Sequence, residues 1–152
     1  MKIMKTSVGR IFVFFVLGLA VCVLMQTAIV NAKDPVTRPL HLSGQISIMD
    51  LYGGYPWTAH DQGVCSHVGK YVGVGKYPEG ASGFGVTYTA NGDQVFWRDL
   101  GGGTVEWTGG TGRFEGATGG FTWVPTSMDY VLGPEGTTTW VISYEGEGTI
   151  TY

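Results

Sequence analysis

The chain has 152 residues and a formal net charge of −3. Three of its nine basic residues fall in the first ten positions, which leaves six basic against twelve acidic residues from Lys33 onward, a net −6. That balance argues against a nucleic-acid partner and against adhesion to anionic membranes. The N-terminus reads as a secretory leader. Lys2, Lys5 and Arg10 precede an apolar run from Ile11 to Val30, and Val30-Asn31-Ala32 has the small-residue ending of a cleavage site. We expect residues 1–32 to be a signal peptide and 33–152 a single domain, secreted or periplasmic. The run is also long enough to span a bilayer, in which case an uncleaved leader anchors the domain to the membrane. Cys65 is the one cysteine of that domain, so no internal disulfide forms, and burial is its ordinary fate.

Residues 33–152 hold 24 of the 26 glycines, and no window of them shows a 3.6-residue apolar repeat. This is the composition of an all-β domain with tight turns. Leu40, Leu42, Ile46 and Ile48 alternate with His41, Ser43, Gln45 and Ser47, which predicts a strand with one buried face. Residues 49–63 carry Gly-Gly, Pro and aromatics without a period, which predicts a long loop at a rim. Residues 64–77 read as one strand interrupted by Gly69, Gly73 and Gly75. Asn91-Gly92 between two apolar runs predicts a two-residue hairpin, and Gly101-Gly102-Gly103 a further turn. Val105 and Trp107 share a face, as do Phe121 and Trp123. The final stretch is the longest alternation, with Trp140, Ile142, Tyr144, Ile150 and Tyr152 on one parity and bends at Gly146 and Gly148. Long strands bent at glycine suit closure of a barrel. Seven or eight such strands without a long helix predict an antiparallel barrel.

Between the strands lies GGTGRFEGATGGFTW, residues 109–123. Gly110, Gly112 and Gly116 give G-x-G-x-x-x-G, one residue longer than the dinucleotide fingerprint, and a strand follows where that fingerprint needs a helix. No Lys follows these glycines, as a P-loop would require. The run is therefore a strand connection. Its Arg113 is expected to clamp the turn, through Glu115, Glu106 or loop carbonyls.

The run GGTGRFEGATG resembles the signature of the allene oxide cyclase and dirigent barrel superfamily, in its bacterial secreted form. SHVGKYVGVG (66–75), YTANGDQVFW (88–97) and the closing TTTWVISYEGEGTITY are similar to further segments of that group, in order and spacing. The resemblance implies an eight-stranded antiparallel, calycin-like barrel, often assembled as a homo-trimer. It implies a small hydrophobic molecule as partner, held or steered in the barrel without metal or nucleotide. It supplies no catalytic positions that match this chain residue by residue.

The residues themselves offer three chemistries. A serine hydrolase has no G-x-S-x-G here, and Ser66 and His67 are adjacent. A metal site would draw on His60, Asp61, Cys65 and His67, with Cys65 and His67 on one side of a strand. The bland alternative is a buried thiol and hydrogen-bonded imidazoles. An aromatic cavity would draw on Trp97, Trp107, Trp123, Trp140 and Tyr144, against the alternative that these rings fill the barrel outright. No cofactor is called for. Binding of a small hydrophobic molecule is the leading expectation, with a cyclase or isomerase and a solid structural module as alternatives. An open cavity holding a buried carboxylate or tyrosine of shifted pKa would favour the enzyme.

Overall fold

The computed structural model describes residues 34–50, 56–134 and 137–152. The expected leader, 1–32, lies outside them, as do 51–55 of the expected rim loop. Eight strands follow in order: β1 (Thr37–Asp50), β2 (Trp57–Cys65), β3 (Gly69–Tyr77), β4 (Phe84–Thr89), β5 (Gln94–Gly101), β6 (Thr104–Gly110), β7 (Thr118–Leu132) and β8 (Thr138–Thr151). Each pairs antiparallel with its neighbours in sequence, and β8 pairs with β1 to close the barrel. This is the eight-stranded antiparallel barrel that the alternation and the glycine bends predict. The seam is long, since β1 and β8 match from Thr37↔Thr151 to Asp50↔Thr138.

Two expectations are corrected. Trp57–Gly63 is not loop but the greater part of β2, paired with β1 and β3. Its inward positions are Ala59, Asp61 and Gly63, so it lacks the apolar alternation by which a strand is read. Residues 64–77 are not one strand. Ser66–Val68 form a turn between β2 and β3, which Gly69 leaves at a φ of 85°. The Ser66 hydroxyl accepts from the His41 backbone N–H and donates to the Pro39 carbonyl, fixing the turn to β1.

The Asn91-Gly92 hairpin is present, but the β4–β5 loop is three residues long, with Thr89 N–H bonded to the Asp93 carbonyl and only Gly92 needed at positive φ. The two-residue form occurs one hairpin later, at Gly102-Gly103, with φ of 61° and 76°.

The run 109–123 closes one end of the barrel. After Gly110 the chain makes a short 3₁₀ turn, Gly112–Phe114, and re-enters the sheet at Thr118. Phe114 is fully buried, with its ring edge-on to Tyr152 at 5.0 Å between centroids. Gly112 has a φ of 58°, and a Cβ there would collide with the Asp93 carboxylate. Gly116 has a φ of 71°, and a Cβ on Gly110 would stand 2.5 Å from the Gln94 carbonyl oxygen. Arg113 clamps the turn through a loop carbonyl, one of the partners expected, and not through Glu115 or Glu106. Its guanidinium donates to the Val68 carbonyl at 3.1 Å, approaches Asp93 at 3.7 Å and lies over the Phe114 ring. One side chain thus ties together all three loops of this end. Glu106 is instead paired with Arg98.

Because Phe114 plugs the closed end, Phe114→Ala should cost about 3–5 kcal/mol of stability, read from the shift in urea midpoint. A cost below about 1 kcal/mol would show that the plug carries no packing.

Candidate functional site

Inside the barrel the aromatic rings are seated on glycines. A Cβ on Gly75 would stand 2.5 Å from the Trp97 ring, and Gly85, directly opposite Trp97 on β4, would clash with the same ring. Gly83 lies against Tyr77 in the same way. A Cβ on Gly63 would come within 2.7 Å of the Tyr71 hydroxyl, and one on Gly44 within 2.9 Å of the Tyr144 hydroxyl. The glycines that weaken the strand signal of β3 and its neighbours therefore make room for inward-pointing side chains.

Those side chains surround one carboxyl. Asp61 points inward from β2. The Tyr144 hydroxyl donates to its Oδ1 at 2.7 Å. Tyr144 and Tyr71 hydroxyls are 2.5 Å apart. Since Tyr144 spends its proton on Asp61, Tyr71 is the donor in that second bond. The chain Tyr71–Tyr144–Asp61 spans three strands, β3, β8 and β2. Around it, Trp97, Phe121 and Trp123 form apolar walls, with Tyr77 beside Trp97 and Trp123 tilted against Tyr144. The cleft they enclose has a free volume of about 40 Å³. Two larger concavities, about 680 and 630 Å³, are shallow depressions of the outer wall and hold no buried titratable group.

No cation lies near Asp61 among the described ion pairs. Burial therefore dominates its titration and raises its pKa from 3.8 to about 6, against the smaller opposing effects of the Tyr144 hydroxyl and the Gln62 backbone N–H. Burial likewise pushes the Tyr71, Tyr77 and Tyr144 hydroxyls well above the usual tyrosine range, and the nearby Asp61 carboxylate adds to the effect on all three. At neutral pH the tyrosines are thus donors. Of these four cleft groups Asp61 is the one whose pKa is brought towards neutrality, which is the property of a group that exchanges protons with a ligand.

The residues read from sequence fall out as follows. Trp97, Trp123 and Tyr144 line the cleft. Trp107 and Trp97 line a second, smaller chamber beyond Asp61. Trp140 is apart from both, 39 % exposed and packed on Tyr130 at 5.6 Å. His60, Cys65 and His67 do not converge. His60 faces out from β2, Cys65 faces in, and His67 is in the Ser66–Val68 turn rather than two residues along a strand. Burial raises the Cys65 thiol to about 11, which disfavours the thiolate a metal needs. Among the described residues no three His, Cys, Asp or Glu side chains gather as a metal site. Sequence reasoning missed Asp61 as the centre of the site, and Tyr71 and Tyr77 as parts of it. The available signal was an acid at an inward position between Ala59 and Gly63.

No protein-family model matches the chain, and no curated protein matches it. Among solved structures it is similar to the pterocarpan synthase dirigent protein GePTS1, with 15 % identity, 80 % of this chain and 94 % of that chain covered, and a TM-score of 0.48. The barrel described above rests on this chain's own strand register.

Folded Asp61 holds its proton more tightly than the unfolded chain does, so its own contribution to stability is fully present below about pH 4 and is lost as pH rises through about 6. The full shift corresponds to on the order of 3 kcal/mol, an upper bound because the cleft leaves the carboxyl partly within reach of water. Asp61→Asn keeps the shape of the protonated acid. It should be more stable than the natural chain by about 1–3 kcal/mol at pH 7.5, with the gap closing at pH 4, as read from urea midpoints at the two pH values. A gap of equal size at both would place Asp61 in an ordinary, solvated setting.

Proposed function

We propose that the barrel takes up a small, planar, hydrophobic molecule bearing a hydroxyl or carbonyl oxygen, and that Asp61 exchanges a proton with that oxygen. The observation that carries this reading is the carboxyl itself. It lies among rings with no ion-pair partner among the described residues, is hydrogen-bonded by Tyr144, and has its pKa raised by burial to about 6. A purely structural core gains nothing from such a group, because burying an acid without a counter-charge costs stability. Trp97, Phe121 and Trp123 supply flat apolar walls, and the Tyr71–Tyr144 pair holds Asp61 at one orientation.

The free volume of about 40 Å³ sets a condition on the ligand. Binding pockets for drug-sized molecules run to about 300–1,000 Å³. A bicyclic ligand therefore seats at the mouth of the cleft, with Tyr77 and Trp97 turning aside to admit it. The same small volume favours the second reading, a solid extracellular module whose rings only fill the barrel. In either reading the basic and then apolar N-terminus assigns the chain to export.

The test uses 2-naphthol as probe, with the indole N–H resonances followed in ¹⁵N-labelled protein. Saturable binding should shift Trp97 and Trp123 and leave Trp140 in place. Asp61→Asn should weaken binding by about tenfold, the worth of one good hydrogen bond to a charged group. No shift at millimolar probe would sink the binding reading and leave the solid module.

A further inference from the structure

The second chamber lies on the far side of Asp61 from the cleft's aromatic mouth. It shares Asp61, Trp97 and Phe121 with the cleft, and is otherwise lined by buried side chains, among them Cys65, Tyr71, Thr87 and Trp107. Its free volume is about 30 Å³. A chamber of that size excludes any organic ligand and admits water, provided polar partners are present.

Partners are present, and one of them is otherwise unsatisfied. Trp107 is 7 % exposed, and its indole Nε1–H is buried with no hydrogen-bond partner among the described residues. An unmet buried donor costs about 1–3 kcal/mol, so native structures rarely leave one without a protein or water partner. On the acceptor side, Tyr144 occupies Oδ1 of Asp61. Gly73 of β3 lies beside Asp61 and Thr87, where a Cβ would stand 3.2 Å from Asp61 Cβ. Asp61 Oδ2 and Thr87 Oγ1 each lie 3.6 Å from the point where its Cβ would stand.

We propose that this inner chamber is a binding site for an internal water molecule, which accepts from Trp107 Nε1–H and donates to the free carboxylate oxygen of Asp61, with Thr87 as a further partner. The geometry joins two otherwise separate facts: a buried tryptophan donor with no partner among the described residues, and a small void lined by the polar groups of Asp61 and Thr87 as well as by that tryptophan. The site also gives Asp61 hydrogen-bond partners on two sides, Tyr144 and water, while its aromatic side stays free. It stands whether or not the barrel binds a ligand.

The test is a water-selective NOE experiment on ¹⁵N-labelled protein. The Trp107 Nε1–H resonance, assigned by its disappearance in Trp107→Phe, should show a cross-peak to a long-lived water. In Gly73→Ala the added methyl takes up the chamber, so the Trp107 resonance should persist and its water cross-peak should be lost. The count of long-lived internal waters from oxygen-17 relaxation dispersion on the natural chain provides a reading that needs no variant, and should be at least one. A Trp107 Nε1–H without a water cross-peak, a cross-peak that survives in Gly73→Ala, or a count of zero would each overturn the site.

Discussion

An eight-stranded barrel is only just wide enough for its own inward side chains. Each tryptophan or tyrosine turned inward must therefore face a position with no side chain. The structure meets this constraint strand by strand: Gly75 and Gly85 face Trp97, Gly83 faces Tyr77, Gly63 faces Tyr71, and Gly44 faces Tyr144. Among the described residues two small voids remain between the rings, and Asp61 borders both. Ring placement thus fixes where the carboxyl can be and how dry it is. Its dryness fixes how it titrates.

The two ends of the barrel differ for related reasons. One end is closed by residues 111–117, where Phe114 is inserted and Arg113 bonds across to the β2–β3 turn and the β4–β5 loop. The cleft lies towards the other end, where Tyr77 and Trp123 flank it. At that end β7 runs on beyond its short pairing with β6, so that Met128 and Tyr130 lie opposite Ile142 and Trp140 of β8. Trp140 belongs to this extension, which is why it stands clear of the cleft.

Much of the fold was legible in the sequence. The inward parity of β1 and β8 shows directly as Leu40, Leu42, Ile46 and as Ile142, Tyr144, Ile150. The run 109–123 shows by its departure from the phosphate templates that it is a connection. The site was less legible, and the reason is physical. Pattern reading finds strands by apolar alternation, whereas β2 presents Ala59, Asp61 and Gly63 to the interior, and the same choice of residues that makes the site hides the strand. The Ser66–Val68 turn was missed because Val68 is buried and Gly69 reads equally as a strand irregularity or a turn exit. Four of the five aromatic candidates, Trp97, Trp107, Trp123 and Tyr144, do line the voids that Asp61 borders, but the tyrosine chain depends on pairings across β3, β8 and β2 that no local pattern encodes.

Asp61 is a largely buried carboxyl with no ion-pair partner among the described residues, and the proposed function turns on its pKa. Carbon-13 NMR of the aspartate side-chain carboxyls, titrated from pH 3 to 8 and assigned through Asp61→Asn, measures it directly. The account predicts a midpoint for Asp61 near 6, well above the ordinary 3.8. A midpoint at or below about 4 would contradict it, because the carboxyl would then be solvated or paired and the cleft would have no group able to change charge near neutrality.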